Sequence, residues 1–322
     1  MKIKGLKIGL AAALAGLLSM PAQAADTVTL RLDWVHGGYQ AVWFYAKDKG
    51  VFEKNGIDLD IREGRGSMTT SQTVGNKSDE FGTADAGAMM VLRSKGLKNK
   101  IVASYMRTGP SATIFPAAKG WKSWKDVKNA TISDSAGANT IYLFKAVEKS
   151  QGLTGIKNIM VAPPAKVSSV LTGSADATNS FGFLQKPIME AQGTPTAFLT
   201  FASAGINVPG LALIASDDLI AEKPDLVGRM VAATQEALKI VQEDPEAAID
   251  ALMKIKPTMD RKVHLEILKS SFELFDSEAS KGKPLGWTPP ADIETAQNIL
   301  VEYEQIAAKA PIEDYFTNRF VK

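Results

Sequence analysis

Strand-like and helix-like segments alternate along this chain, and that alternation restricts the possible folds more than any other feature of the sequence. Val28, Leu30 and Leu32 alternate with polar residues, as in a half-buried strand. Residues 39–49 then have a helical pattern that stops at Gly50. Further strand patterns with an intervening helix pattern follow at residues 57–61, 81–84, 86–95 and 101–106. Such alternation predicts a mostly parallel sheet with helices on its faces.

The same alternation restarts in the middle of the chain, which indicates a second lobe. Strand and helix patterns alternate again over residues 130–180, and the segment after residue 223 is mainly helical. Glycine and proline cluster at Gly109-Pro110 and at residues 204–209, where the chain can cross between lobes. A chain of this size usually makes two domains or one large one.

We therefore predict an α/β protein with a two-lobed type II binding-protein fold and two hinge crossings. Lobe I comprises residues 25–109 and 205–322, and lobe II comprises residues 110–204. In open α/β sheets a ligand sits in the crevice at the carboxyl ends of the strands. A cleft between the lobes is thus the expected binding site.

The first 24 residues have the layout of a cleavable signal peptide. Lys2, Lys4 and Lys7 precede an apolar run over residues 8–20, and Ala22-Gln23-Ala24 supplies small residues before the cut. The apolar run is too short to span a bilayer. We expect cleavage after Ala24 and a periplasmic location, without direct insertion into the membrane.

The amino-acid composition limits the kinds of site and partner that this chain can have. The chain has no cysteine, two histidines and a formal net charge of +2. The absence of cysteine excludes thiolate metal sites, a cysteine nucleophile and a lipid-anchored amino-terminal cysteine. Two histidines far apart in sequence do not make a zinc site, and the small charge does not favour nucleic acid. We expect a monomer without metal, cofactor or catalytic residues, although paired carboxylates stay open and an exported hydrolase is the rival from another class.

Several motifs together resemble one family. Leu32-Asp33-Trp34, residues 45–52 and residues 55–59 resemble its start, and later matches lie at residues 64–67, 82–86, 125–127, 171–177 and 223–227. The family is that of periplasmic substrate-binding proteins of ABC importers related to fungal thiamine-pyrimidine synthases, with nitrate, taurine and sulfonate binders as relatives. The resemblance implies a binding protein that closes on a small ligand and delivers it to membrane permease subunits. The fungal enzymes use a cysteine-rich motif, which this chain lacks.

Candidate ligand contacts in lobe I follow the strand ends. Trp34 ends the first strand, where its indole could stack on a ligand ring or lie in the core. Tyr39 and Gln40 begin a helix whose free N–H groups could take a ligand oxygen, and Gln40 suits a pyrimidine edge. His36 could contact the ligand or could be an ordinary loop residue. The other lobe I candidates come from small-residue turns, namely Gly66, Ser67, Asp85 and Ala86, with Asp85 also suited to cap a helix.

Lobe II supplies the opposite wall in this prediction. Gly137 and Asn139 lie in a small-residue turn before a helix, where a polar ligand group could bind. Asn179 follows a strand and could hydrogen-bond a heterocycle edge, while Phe181 could cover the ring face opposite Trp34.

These residues favour a pyrimidine or another aromatic N-heterocycle, such as a thiamine precursor, as the ligand. A sulfonate, taurine or nitrate binder of the same fold is the alternative. A sensor subunit that presents its ligand to a membrane receptor shares the fold and differs only in its partner.

Overall fold

Two five-stranded sheets organise the chain in the computed structural model, which describes residues 25–322. The predicted signal peptide, residues 1–24, lies outside the described residues. The strands are β1 Asp26–Arg31, β2 Ile57–Arg62, β3 Phe81–Asp85, β4 Asn99–Ser104, β5 Ser111–Pro116, β6 Thr131–Asp134, β7 Lys157–Met160, β8 Ala177–Phe181, β9 Thr196–Thr200 and β10 Leu211–Ser216.

The sheets have matching layouts. The first has the order β2-β1-β3-β10-β4 and the second the order β7-β6-β8-β5-β9. In each, three strands pair in parallel, one strand pairs antiparallel with both neighbours, and the last strand again runs with the majority. Four strands of five thus point the same way, which confirms the predicted two-lobed α/β architecture of mostly parallel sheets.

Helices flank both sheets. Their bounds are α1 Ala41–Asp48, α2 Val51–Lys54, α3 Ser67–Gly75, α4 Ala86–Ser94, α5 Thr140–Gln151, α6 Ala165–Leu171, α7 Gly182–Ala191, α8 Asp217–Glu222, α9 Pro224–Glu243, α10 Pro245–Ile255, α11 Arg261–Ser271 and α12 Pro290–Glu302. Prolines begin α9 and α10, where the missing N–H breaks no helical hydrogen bond. Within residues 25–322, no helix is long and apolar enough to cross a membrane.

The chain leaves the first sheet after β4, builds the second sheet from β5 to β9, and returns with β10. The carboxyl-terminal helices α9 and α10 then pack on α1. Ala237, Leu238 and Val241 of α9 are fully buried in the core that contains Leu30 and Trp43. The strand positions agree with crossings after residue 104 and after residue 200, and the predicted boundaries at 109/110 and 204/205 stay predictions.

Two strands were not predicted from the sequence, β5 and β10. Every residue of β10 is buried, and so are the first five of β5. A strand buried on both faces has no polar–apolar alternation, so the period that identified β1 and β2 was absent. These are the strands that run antiparallel in the two sheets.

Gly38 lets the helix α11 pack closely against the turn that precedes α1. The residue lies in the 3-10 turn Gly38–Gln40, and its N–H donates to Nδ1 of His264 on α11 at 3.1 Å. A Cβ at this position would overlap the carbonyl group of His264. Because backbone atoms cannot rotate aside, only glycine fits here without moving α11.

We predict that Gly38→Ala lowers the free energy of unfolding by roughly 1–3 kcal/mol, the usual cost of overpacking. Denaturant unfolding followed by circular dichroism measures it. Gly228→Ala is the matched control, because Gly228 lies inside α9 with room for a methyl group. That variant should be stabilised by about 1 kcal/mol through helix propensity. Equal stability of the two variants would contradict the packing argument.

Candidate ligand-binding cleft

A narrow cleft lies between the two sheets, at the ends of the strands. It is lined by Asp33, Trp34, Tyr39, Gly66, Ser67, Ala138, Asn139, Thr140, Lys166, Ser180, Phe181 and Leu184. The cavity volume is about 20 Å³, which holds about one water molecule. A ring-sized ligand can enter this space only when the lobes move apart or the side chains rearrange.

Half of the predicted contact residues line this cleft. They come from both lobes and comprise Trp34, Tyr39, Gly66, Ser67, Asn139 and Phe181. Trp34 follows β1, Gly66 and Ser67 begin α3 after β2, and Asn139 precedes α5 after β6. The topology thus brings together residues up to about 150 positions apart in sequence, and their role in ligand binding stays a prediction.

The other six predicted residues surround the cleft without lining it. Gln40 donates its amide to Asp33 at 3.1 Å, and Asn179 accepts a hydrogen bond from Thr113 at 2.6 Å. Gly137 and Ala86 make backbone hydrogen bonds, and Asp85 caps a helix. His36 lines a neighbouring cavity.

Asp33 is the most important residue that sequence reasoning missed. It is 3% exposed, and its carboxylate accepts hydrogen bonds from Tyr39 Oη at 2.8 Å and from Gln40 Nε2 and Thr83 Oγ1, both at 3.1 Å. Burial raises the pKa of the Asp33 carboxyl, and these three donors oppose the shift. A carboxylate offers about four acceptor positions, so these three hydrogen bonds leave one unused, on Oδ2. Its place beside Trp34 at a strand end was the available sequence signal.

Lys166 was also missed, and it carries the positive charge of the cleft. Its side chain is 1% exposed, and Nζ lies 2.9 Å from Oδ1 of Asp134 and donates to the carbonyl of Asn179 at 2.6 Å. The same Nζ lies 5.1 Å from the centre of the Trp34 ring, within cation–π range. The ammonium group therefore already has an ionic partner, a carbonyl partner and an aromatic face.

Aromatic side chains form the wall facing Asp33. The Tyr39 ring meets Phe181 and Phe183 edge-on, with centroid distances of 6.4 and 5.6 Å. Phe181 and Phe183 stack at 5.7 Å. Burial, and then the negative charge of Asp33, raise the pKa of Tyr39 well above its ordinary value, so its hydroxyl stays a hydrogen-bond donor.

The lobes touch through two glycines. Gly66 and Gly137 both have positive φ, at 125° and 83°, and a Cβ on Gly66 would overlap the Gly137 carbonyl. That carbonyl accepts a hydrogen bond from the N–H of Met68 at 3.1 Å. Glycine at both positions permits the left-handed backbone and this close approach.

Asp85 joins the lobes by its side chain. Oδ1 caps α4 by accepting from the N–H groups of Gly87 and Ala88, and it also accepts from the Tyr142 hydroxyl at 2.9 Å. Oδ2 accepts from the amide of Asn139 at 2.8 Å. Tyr142 and Asn139 belong to the second lobe. Desolvation by burial raises the pKa of Asp85 to about 7, against the effect of its donors.

We predict that Asp85 makes stability depend on pH in the acidic range. The folded protein keeps the Asp85 proton up to about pH 7, whereas an unfolded chain releases it near pH 4. The resulting contribution to stability is complete below about pH 4 and is lost as the pH rises to 7, with a slope of up to about 1.4 kcal/mol per pH unit. Asp85→Asn should remove this part of the slope in urea titrations at pH 4.5 to 7.5.

Tyr142→Phe is the control for that experiment. It removes one interlobe hydrogen bond but keeps the carboxyl group, so the protein should lose stability and retain the slope. The buried Asp33 contributes a slope of the same sign that both variants keep. An Asp85→Asn protein with an unchanged slope would contradict the assignment.

The sequence matches the model of one protein family. The model described as NMT1/THI5 like matches residues 38–248. The chain belongs to the NMT1/THI5-like family. This confirms the resemblance inferred from the sequence.

Relatives of this chain carry several descriptions. A Brucella abortus protein provisionally described as a binding protein is 28% identical over 273 residues, covering 81% of this chain and 78% of that one. A formylaminopyrimidine-binding protein of Halalkalibacterium halodurans is 20% identical, with 92% and 91% covered. A 4-amino-5-hydroxymethyl-2-methylpyrimidine phosphate synthase of Legionella pneumophila is 22% identical, with 77% and 79% covered.

The fold recurs in solved structures of low sequence identity. The alkanesulfonate-binding protein of Xanthomonas axonopodis pv. citri, bound to MOPS, superposes with a TM-score of 0.70. Identity is 13%, and the match covers 91% of this chain and 99% of that protein. Among residues 25–322 of the NMT1/THI5-like chain, no group of three or more histidine, aspartate or glutamate residues is arranged to hold a metal ion.

Proposed function

We propose that this chain is the solute-binding component of an ABC importer and captures an aromatic N-heterocycle that carries an amino group, such as a pyrimidine thiamine precursor. The observation that carries the proposal is the pairing of Trp34 with the free acceptor position of Asp33. An indole face suits a flat ring, and a buried carboxylate suits an amino donor. The formylaminopyrimidine-binding relative supports this ligand class.

The charges around the cleft support a donor-bearing ring over an anion. Lys166 is the cation among the described lining residues, and Asp134 and the Asn179 carbonyl already engage it. An anion would compete with Asp134 for this ammonium group and would approach the Asp33 carboxylate. Buried like charges repel strongly in a site of low dielectric constant. A neutral heterocycle avoids both costs.

Capture would work by closure of the lobes. A ligand held by Trp34 from one lobe and Phe181 from the other stabilises the closed form over the open one. The interlobe contacts of Gly66 with Gly137 and of Asp85 with Asn139 favour the same closed form. The closed form then docks on the permease subunits of the importer, with the receptor itself acting as a monomer.

We predict micromolar or tighter binding of 4-amino-5-hydroxymethyl-2-methylpyrimidine, measured by isothermal titration calorimetry. Asp33→Asn should weaken it roughly 10- to 100-fold, because a hydrogen bond to a charged group contributes about 1.5–3 kcal/mol. Trp34→Ala should weaken it as well, while Trp121→Ala is the control, because Trp121 packs on Phe115 away from the cleft. Full affinity in both cleft variants would contradict the site.

A second candidate ligand is a sulfonate or nitrate, favoured by one observation. The helices α3 and α5 both begin at the cleft, and Ser67 and Thr140 from their first turns line it. Helix amino termini attract anions. Titration with taurine, an alkanesulfonate and nitrate separates the candidates: saturation by one of these, with no heat from any heterocycle, would overturn the heterocycle proposal.

The proposed role is binding without turnover, cofactor or metal. The synthase among the relatives makes a direct test worthwhile. Mass spectrometry of a heterocycle recovered after prolonged incubation with the protein should return it unchanged. Recovery of a converted product would favour an exported hydrolase or another enzyme instead.

Export through a cleaved signal peptide is part of the proposal. We predict that the protein expressed with its full sequence in a Gram-negative host accumulates in the periplasm and begins at Ala25. Intact-mass measurement of the periplasmic fraction tests this, and Ala24→Leu should impair cleavage because the peptidase needs a small residue before the cut. An uncleaved cytoplasmic product from the unaltered sequence would overturn export.

A further inference from the structure

A second cavity adjoins the cleft beyond Trp34. Its volume is about 260 Å³, more than ten times that of the cleft, and the two share Trp34 and Leu184 as lining residues. We call it the outer chamber and the cleft the inner cavity. Ligand sites in proteins usually enclose roughly 300–1,000 Å³, so the inner cavity alone is far too small for a substituted ring.

Both lobes line the outer chamber. His36, Gly37 and His264 come from lobe I, and Pro164 and Ile188 come from lobe II. A group bound there is therefore enclosed by the same lobe closure that shuts the inner cavity. The prolines and aliphatic side chains give it an apolar wall, which favours burial of hydrocarbon or ring atoms.

Both histidines of the chain line the outer chamber. Nδ1 of His264 accepts the N–H of Gly38, so the neutral ring carries its proton on Nε2, as a donor. The His36 side chain is 9% exposed, and neither ring nitrogen has a hydrogen-bond partner among the described residues. Its Nδ1 lies 3.2 Å from Oε1 of Glu63 without hydrogen-bond geometry. Buried polar atoms without a partner are costly, and a ligand hydroxyl could relieve that cost once the His36 ring turns its buried nitrogens toward the chamber.

The electrostatic surroundings restrict what the outer chamber accepts. Burial lowers the pKa of both histidines, so near pH 7 they are neutral: His264 can donate a hydrogen bond from Nε2, and His36 can both donate and accept. Glu63 lies beside His36, and Lys256 pairs with the same Glu63 oxygen at 3.1 Å, so the charges next to this wall largely offset each other. The fitting group thus has hydroxyl groups for the imidazoles and ring or alkyl atoms for the apolar wall.

We propose that the ligand has two parts: an aromatic N-heterocycle held at Trp34 and Asp33, and a hydroxylated arm that fills the outer chamber. This inference rests on the proposed heterocycle function and adds the shape of the ligand to it. The outer chamber makes the protein selective for heterocycles that carry such an arm, here called armed, over the ring alone.

Two pairs of probes share a head and differ in the arm. Thiamine is compared with 4-amino-5-hydroxymethyl-2-methylpyrimidine, and riboflavin with lumichrome, by isothermal titration calorimetry on the full mature chain. In at least one pair the armed probe should bind ten-fold or more tightly than its short partner.

Ser168→Phe tests the position of the arm. Ser168 is exposed on α6 and lines the outer chamber but not the inner cavity. Its hydroxyl donates to the Ala165 carbonyl of its own helix. A phenyl ring there should fill the outer chamber without disturbing the fold. It should weaken the armed probe at least ten-fold and leave the short probe unchanged. Ser174→Phe is the matched control, because Ser174 is exposed in the same lobe and lines neither cavity.

The outcomes separate the two proposals. If the short probes bind and the armed probes bind no better, or if Ser168→Phe affects both members of a pair equally, the two-part ligand is overturned and the heterocycle function stands. If no heterocycle binds and taurine saturates the protein, the proposed function falls and the two-part ligand falls with it.

Discussion

The carboxylate of Asp85 joins the two lobes of this structure through hydrogen bonds. It caps α4 in the first lobe and accepts hydrogen bonds from Asn139 and Tyr142 in the second. Because the group is fully buried, removal of the second lobe's donors would leave it poorly satisfied, and separation of the lobes must let water in. The balance between the closed and the open arrangement of the lobes thus depends on how the Asp85 carboxyl is solvated. Access to the cleft depends on the same balance.

The fold could be predicted from the sequence wherever one face of an element meets solvent. Strands β1 and β2 alternate buried and exposed residues, so their period was visible. Strands β5 and β10 are buried on both faces and were missed, although each fills the place between its parallel neighbours and the edge of its sheet. Burial on both faces removes this alternation. The equally buried β3 and β8 were predicted from the turns before them, whereas β5 and β10 follow the glycine- and proline-rich crossings and had no such signal.

The candidate site was predictable in part, for a related reason. Trp34, Ser67 and Asn139 follow strand ends, and strand ends meet at one edge of a parallel sheet. Lys166 gave no comparable signal, since a lysine in a short helix is ordinarily solvent-facing. Its burial depends on Asp134, which lies 32 positions earlier and meets it only after β6 and α6 pack together. Ion pairs of this kind are set by tertiary contact and cannot be located from local sequence.

The contact between Lys166 and Trp34 influences which ligand charge the cleft accepts. A ring that stacks on the Trp34 face nearest Lys166 would separate the indole from the ammonium group, which lies 5.1 Å from the indole centre. The displaced contact is worth about 0.5–2 kcal/mol, and a stacked ring restores a similar amount. Lys166 keeps Asp134 and the Asn179 carbonyl, so no charge is left alone in the interior. An anion drawn to Lys166 would instead weaken its bond to Asp134, whose Oδ2 is already buried without a partner among the described residues. Desolvation of that carboxylate then opposes binding, which favours flat uncharged rings at this wall.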